Sequence, residues 1–226
     1  LCPIDLERTY LQKALPAGSS YDSLAFADAY SNRKAEKIAA QLETAIWQGD
    51  TASANGNLNK FDGFIKLVGA ANTVVDANTT AYIATQATAI TAANVVAVFD
   101  AVYKAIPAQV VAKDDMTIFC GQDVFRTYTI ALKNANMFNY SFDGKADSEF
   151  VLPGTSIKVV AVAGLNSTNK IYAMRLSNMF LGTDLLDEET KFSIKYAEEA
   201  DQIRFVAKLK FGVQYAFPEE IVKFTV

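Results

Sequence analysis

The feature that most constrains the fold of this chain is a run of alternating side chains near its C-terminal end. Apolar residues take every second position, with mostly polar residues between them: Ile203, Phe205, Ala207, Leu209, Phe211, Val213 and Tyr215 alternate with Gln202, Arg204, Lys208, Lys210, Gly212 and Gln214. Period-two alternation predicts a long strand with one packed face and one solvated face. The preceding segment KFSIKY and a short acidic turn predict its partner, so we expect a long β-hairpin over 191–217.

A second constraint is a long helix predicted over residues 24–48. Ser20, Asp22 or Ser23 is placed to cap its start, and Gly49 stands where a left-handed C-terminal cap is expected. Its apolar stripe is narrow and rich in alanine: Ala35, Ile38, Ala39, Leu42, Ala45 and Ile46. A narrow stripe between polar faces predicts a strut that lies across a surface, rather than a helix sunk in a core.

The remaining elements predict an α+β fold. Two more helices are expected, one from Thr91 to Pro107 and one over 121–136, with a short buried strand at Met116–Cys120 between them. The segments IKVVAV and KIYAMR, joined by the loop AGLNSTN, predict a second hairpin, and IVKFTV predicts a final strand. A long helix, then mixed elements, then mostly strands is not a regular βαβ alternation.

The residue types present exclude most familiar catalytic sites. The chain has no histidine, and therefore no histidine-based triad and no HExxH zinc site. It also lacks GxGxxG, Walker and GxSxG motifs. Acidic clusters occur at 114–115, 187–189, 198–199 and 219–220, all at predicted turns or strand ends where solvated carboxylates are the default. We therefore expect no enzyme, and no catalytic, cofactor-binding or metal-binding residues.

The net charge and the two cysteines further limit the class of protein to which this chain can belong. The net charge of −4 and pI near 5.0 give no sign of the clustered basic face of a nucleic-acid binder, although they suit a shell that encloses DNA. Cys2 and Cys120 fit no metal spacing, and Cys120 is expected to be a buried free thiol. No apolar run is long enough to cross a bilayer. Because the chain starts at Leu1, we expect a trimmed or proteolytically matured product.

Isolated cations and one tryptophan are the remaining candidates for binding. Arg126 and Lys133, like the basic residues of the last ribbon, are single charges on wet faces, which more often solubilise or join subunits than bind phosphate. Trp47 closes the long helix and is expected to pack rather than to stack on a ligand. The predicted inter-subunit contacts are Arg33, Lys37, Arg204, Lys208 and Lys210.

Four segments, taken in order, resemble the major capsid proteins of tailed bacteriophages. They are LETAIWQGD with the following FDGFIKL, then LPGTSIKVVAVAGL, then KIYAMRLSNMFLGTDLLDEETKFSIKY, and finally DQIRFVAKLKFGVQYAFPEEIVKF. The resemblance extends over about residues 21–226, and its strength is that all four segments occur in the family's order. It implies the Hong Kong 97 phage-type capsid fold, with a long spine helix, a long β-hairpin and a mixed α/β axial domain.

The resemblance also implies a domain plan and a set of partners. The plan is an N-terminal arm or extended-loop remnant at 1–20, the spine helix and following loop of the peripheral domain at 21–60, a mainly axial domain at 61–185, the long hairpin of the peripheral domain at 186–217 and a final axial strand at 218–226. The implied function is a self-assembling subunit of an icosahedral shell around double-stranded DNA. Its partners would be identical subunits in pentamers and hexamers, with scaffold, portal and decoration proteins, non-specific DNA contact and no membrane. It would assemble in the host cytoplasm and reside in the virion capsid.

Three alternatives stay open on the sequence. An encapsulin-like compartment shell has the same architecture and a different cargo. A carboxylate-dependent hydrolase or lyase would need two acids facing each other across a cleft. A phage tail or adhesion module would use the long hairpin and the Thr/Asn-rich loops as a binding surface.

Overall fold

The structure is a computed structural model that describes residues 23–135, 149–183, 191–197, 202–208 and 210–226. The chain divides into two compact units. One comprises Leu42–Leu181 with Gly212–Val226, and the other lies within Leu1–Gln41 and Gly182–Phe211. Helices and strands are both present in quantity, which confirms the predicted α+β class.

The long helix is confirmed as α1, Ser23–Gln48. Its predicted stripe is buried only at the C-terminal end: Ala45 is buried, whereas Ala35 and Ala39 are exposed. The predicted left-handed cap is wrong, because Gly49 does not have a positive φ. Glycine is required there for a different reason, since a Cβ atom on Gly49 would lie 2.5 Å from the carbonyl oxygens of both Ala45 and Phe61.

The core is built on one six-stranded mixed sheet, with the strand order β1-β10-β5-β2-β4-β3. In that order the strands are Val75–Asp76, Val222–Thr225, Lys170–Arg175, Met116–Cys120, Lys158–Ala161 and Glu149–Val151. β10 pairs parallel with β1 and antiparallel with β5, and β2 pairs antiparallel with β5 and parallel with β4. The predicted strands at 116–120 and at the end of the chain are therefore confirmed.

The predicted hairpin between IKVVAV and KIYAMR is wrong. β4 and β5 are not neighbours, because β2 lies between them and pairs with both. The loop between the two strands includes a 3-10 turn at Ala163–Leu165, and Ser167 and Asn169 both have positive φ values. A loop of this length is able to cross over one intervening strand, so the local pattern did not determine the pairing.

Both faces of this sheet are buried. On one face pack α3, Val95–Ala105, and α4, Gln122–Asn134, with the rings of Phe99 and Tyr128 4.1 Å apart. On the other face lie α2, Phe64–Ala70, and the end of α1. Consecutive residues of β2 divide between the two sides, with Ile118 and Cys120 in the first cluster and Phe119 in the second. Burial on both faces explains the continuous apolar runs of the central strands.

The predicted C-terminal ribbon is two strands rather than one. β7, Lys191–Ala197, and β8, Gln202–Lys208, form the expected antiparallel hairpin. β9, Phe211–Tyr215, pairs instead with β6, Met179–Thr183, in a separate two-stranded sheet. The alternation continues from Gln202 to Tyr215 because β8 and β9 are both strands with period-two side chains. The two strands have different partners, since β8 pairs with β7 and β9 pairs with β6.

Candidate assembly surface

Trp47 fixes the C-terminal end of α1 to the sheet. Its side chain is only 4% exposed, and its ring centroid lies 5.5 Å from that of Phe64, 5.3 Å from that of Phe119 and 6.0 Å from that of Tyr172. Tilted aromatic rings at these distances gain both from the area they bury and from edge-to-face attraction. The prediction that Trp47 packs rather than stacks on a ligand is confirmed.

Gly164 lets the same end of α1 approach the loop before β5. A Cβ atom on Gly164 would overlap the Trp47 indole and would lie 2.6 Å from the carbonyl oxygen of Glu43. The Gln48 side-chain amide donates to the Gly164 carbonyl oxygen at 2.7 Å, and the Ala163 N–H donates to the Glu43 carboxylate at 2.8 Å. The sequence does not predict this docking site, because no residue pattern near position 164 indicates that a helix end lies against it.

The loop after α1 is closed by a lysine held between two aspartates. Lys66 Nζ lies 2.6 Å from Asp50 Oδ1 and 2.8 Å from Asp62 Oδ1, and Asp62 also accepts from the Thr51 N–H at 2.8 Å. The Lys66 hydrogen bond, with further bonds from Thr51, lowers the pKa of Asp62 to about 2. The Lys66 ammonium group thus neutralises both carboxylates and ties the end of the loop to its beginning.

Arg175 joins two of the acidic pairs. Its Nε donates to Asp115 Oδ1 at 3.0 Å and its Nη1 lies 3.4 Å from Glu220 Oε2, while the Ser177 hydroxyl also donates to Asp115. The Arg175 bond, followed by that from Ser177, lowers the pKa of Asp115 to about 2. These carboxylates were expected to be solvated. That expectation is wrong for Asp115 and Glu220, whose side chains are 28% and 22% exposed and are ion-paired.

A buried amide fixes the segment that follows β9. The Asn178 side chain is 1% exposed, accepts from the N–H groups of Ala216 and Phe217 at 2.9 and 2.8 Å, and donates to the Phe217 carbonyl oxygen at 2.7 Å. These three hydrogen bonds use most of the hydrogen-bonding capacity of one side-chain amide. Asn178 therefore holds the end of β9 beside the start of β6.

The predicted contact cations lie on two separate elements. Arg33 and Lys37 are exposed and one helical turn apart on α1, and Lys210 is exposed just after β8. In the β7–β8 hairpin, Lys208 is directly opposite Lys191, and Arg204 is directly opposite Lys195.

Directly opposite positions of an antiparallel pair share one face. One face of the hairpin therefore holds four basic positions, Lys191, Lys195, Arg204 and Lys208, while the apolar positions Phe192, Ile194 and Phe205 belong to the other. The predicted contact residues include the two basic residues of β8 but not the two of β7. Counting alternate positions in KFSIKY from Lys191 would have found them.

Neither a metal-binding cluster nor a membrane-spanning helix is found in the described part of the chain. No group of three or more Cys, Asp or Glu residues there could hold a metal ion. Nor does any helix in those ranges have the length and apolar character needed to cross a membrane.

Comparison with known proteins shows which family the chain belongs to. Residues 27–163, more than half of the chain, match the family model described as SU10 major capsid protein. The chain belongs to this family. The capsid protein is thus a structural subunit of a phage capsid, as the resemblance predicted. No curated protein sequence matches it.

Solved structures similar to this capsid protein are also capsid components. A chain of the satellite phage P4 procapsid including size determination (Sid) protein aligns with a TM-score of 0.60 and 12% identity, covering 99% of this chain and 72% of that one. A chain of the cyanophage A-1(L) capsid asymmetric unit aligns with a TM-score of 0.48 and 15% identity, covering 89% of this chain and 70% of that one. A chain from the capsid of an empty GTA particle aligns with a TM-score of 0.48 and 16% identity, covering 89% of this chain and 72% of that one. The P4 likeness shows that the capsid protein has a capsid-subunit fold.

Proposed function

We propose that this capsid protein is the self-assembling shell subunit of a tailed phage, with the Hong Kong 97-type arrangement, and that it carries out no catalysis. Copies would form the pentamers and hexamers of an icosahedral shell that encloses double-stranded DNA. The observation that carries the proposal is the fold likeness to a procapsid subunit over 99% of the chain, together with the family match. Shell assembly in the host cytoplasm, with scaffold, portal and decoration proteins, belongs to the same proposal, as does location in the virion capsid.

The domain plan of the proposal follows the order of the elements. Residues 1–20 would be an arm, 21–60 the spine helix and its loop, 61–185 the main part of the axial domain, 186–217 the peripheral hairpin and 218–226 the returning strand. The two compact units support the main division of this plan, because most of 61–185 belongs to one unit, whereas the helix up to Gln41 and the segment Gly182–Phe211 belong to the other.

Subunit contact through the predicted cations has a physical basis in the hairpin register. Like charges directly opposite each other on one face of a hairpin destabilise it. The pairs Lys191–Lys208 and Lys195–Arg204 would be relieved by an anionic partner. Each copy has a net charge of −4, so an adjoining copy has acids to offer. We propose that this face, with Arg33, Lys37 and Lys210, contacts acidic groups of a neighbouring subunit.

The test is assembly of the full chain, expressed alone and examined by electron microscopy and sedimentation. The parent protein should form closed particles, whose assembly weakens as salt screens the contacts. Lys195→Glu combined with Lys208→Glu should give a folded chain that assembles poorly. Lys113→Glu, an exposed reversal outside the hairpin, is the control and should assemble like the parent. Normal assembly of the double reversal would refute the cation contacts, and failure of the parent to form any particle would refute the shell.

A further inference from the structure

Asn55 and Gly56 lie in the middle of the loop that follows α1. Both residues are exposed, as are their neighbours Ala54 and Asn57, and a Cβ atom on Gly56 would meet nothing within 4 Å. Asn-Gly is a typical turn dipeptide. Exposed loop positions with small and polar residues are also those at which a folded chain best tolerates a change.

The backbone nitrogen of Gly56 is left to water, whereas the donors that follow it are bonded. The Asn57 N–H donates to Asn55 Oδ1 at 3.0 Å, and the N–H groups of Leu58 and Asn59 donate to the Asn55 carbonyl oxygen at 3.0 and 3.1 Å. Among the described residues, no acceptor is bonded to the Gly56 N–H. An exposed backbone N–H without a protein acceptor is solvated.

A free backbone nitrogen directly after an asparagine is what intramolecular deamidation requires. The Gly56 nitrogen gives its proton to hydroxide and attacks Asn55 Cγ. The new N–Cγ bond forms, the Cγ–Nδ2 bond breaks, and Nδ2 takes a proton from water and leaves as ammonia. Water then opens the five-membered succinimide, either at Cγ to give aspartate or at the backbone carbonyl carbon to give isoaspartate. The sum of these steps consumes one water and releases one ammonia.

Glycine at position 56 removes the main obstacle to this attack. A Cβ atom on the residue after an asparagine crowds the nitrogen as the ring closes, and glycine also has the backbone freedom that ring closure needs. The Asn55 side-chain oxygen has to give up only the bond from the Asn57 N–H. That bond is exposed, so water replaces it at little net cost.

We propose that Asn55 is a site of spontaneous deamidation in the folded chain. The reaction adds one negative charge to a chain whose net charge is −4. In the isoaspartate product the main chain runs through Cγ, so the carbonyl group that accepts from the Leu58 and Asn59 N–H groups becomes a free carboxylate. Because the reaction needs neither a partner nor assembly, the proposal is independent of the shell function.

The change is expected to stay within the loop. The two ends of the loop are joined by the Gly63 N–H, which donates to the Gly49 carbonyl oxygen at 2.8 Å, and by the ion pairs of Lys66 with its two aspartates. None of these bonds involves Asn55. The modified chain should therefore remain folded, while the loop between its fixed ends changes in charge and shape.

The first test follows the modification in the full chain. The purified protein is incubated at pH 8, digested under mildly acidic conditions and analysed by peptide mass spectrometry at intervals. Asn55 should gain the mass difference between NH₂ and OH at least tenfold faster than Asn57 and Asn59, which precede residues with side chains. Isoaspartate should be among the products. A ratio below tenfold would overturn the proposal.

Gly56→Ala is the variant that tests the attacking nitrogen. Its Cβ atom points into open space, so the variant should keep the circular dichroism spectrum of the parent, while Asn55 should deamidate at least tenfold more slowly. Gly69→Ala is the matched control, because a Cβ there also meets nothing within 4 Å, and its Asn55 should react at the parental rate. A smaller effect of Gly56→Ala would show that this nitrogen is not the nucleophile, and would overturn the proposal.

The third test determines whether the fold permits the reaction. The native parent chain and the same chain unfolded in urea are incubated at one pH and temperature, and their deamidation rates at Asn55 are compared. Because the pair is exposed and the Gly56 N–H is solvated, the native rate should lie within tenfold of the unfolded rate. A native rate more than tenfold lower would mean that the loop holds Asn55 Cγ away from the nitrogen, and would overturn the proposal.

Discussion

Gly164 lies against Trp47 so closely that a single methyl group on this glycine would overlap the indole ring. The Glu43 carbonyl oxygen and the Trp47 ring both belong to α1, so the approach sets how near the end of that helix comes to the sheet. The backbone of residue 164 and the end of α1 are thus packed with no room for even one additional methyl group.

Gly164→Ala should destabilise the chain, because the new methyl group has to displace either the Trp47 ring or the α1 backbone. Overpacking of this kind costs about 1–3 kcal/mol. Urea unfolding followed by fluorescence measures the loss directly, since Trp47 is the only tryptophan. Gly56→Ala is the control: a Cβ there meets nothing within 4 Å, and its stability should change by less than about 0.5 kcal/mol. Equal stability of parent and Gly164→Ala would contradict the close approach.

Asn178→Ala should also be destabilising, through lost hydrogen bonds. The N–H groups of Ala216 and Phe217 and the Phe217 carbonyl would all lose their side-chain partner. Leaving such groups unsatisfied costs about 1–3 kcal/mol. Guanidinium unfolding of the full chain gives the value, and Asn57→Ala, at an exposed loop position, should be close to neutral. A neutral Asn178→Ala would mean that water replaces the amide without cost.

The pair of Asp115 with Arg175 predicts a dependence of stability on acid pH. Because the pKa of Asp115 is lowered to about 2 in the folded chain, its contribution is fully present above the unfolded pKa near 4 and is lost as the pH falls through about 2. The stability gap between the parent and Asp115→Asn should therefore be constant from pH 7 to 5 and shrink between pH 4 and 2. Asp114→Asn, the exposed neighbour, is the control. A gap that does not change down to pH 2 would argue against the ion pair.

Cys120 should be unreactive while the chain is folded. It is fully buried in β2, and that burial raises the pKa of its thiol to about 12. At pH 8 only about one thiol in ten thousand would then be the reactive thiolate. In a Cys2→Ser variant, a thiol reagent such as DTNB should react at the rate of unfolding, and rapidly once urea is added. Fast modification of the native protein would show that β2 is not buried as described.

The sequence allowed prediction of elements whose pattern is local. The helix ending at Gln48, the strand Met116–Cys120 and the packing of Trp47 all follow from nearby residues. The hairpin between β4 and β5 was predicted wrongly because β2 lies between them in the sheet. β2 comes about 40 residues earlier in the chain, and the sequences of β4 and β5 do not indicate that a third strand separates them. Likewise the alternation through 202–215 cannot show that the strands before and after Lys210 change partners.

The same distinction applies to the proposed assembly surface. The basic positions Lys191 and Lys195 could have been predicted from the sequence, since strand residues that are two positions apart share a face. The exposure of Phe180 and Leu181 could not have been predicted, because large apolar residues resemble core residues in the sequence. Only the three-dimensional fold leaves both of them uncovered.

The position of β10 has a consequence for biosynthesis. Val222–Thr225 is an interior strand, with β1 on one side and β5 on the other. A nascent chain in which β1, β2 and β5 have already been synthesised still lacks the strand between β1 and β5 until Val222–Thr225 leaves the ribosome. The sheet of the subunit is therefore complete only after Val222–Thr225 has been translated, so a polypeptide that stops before these residues cannot finish its core.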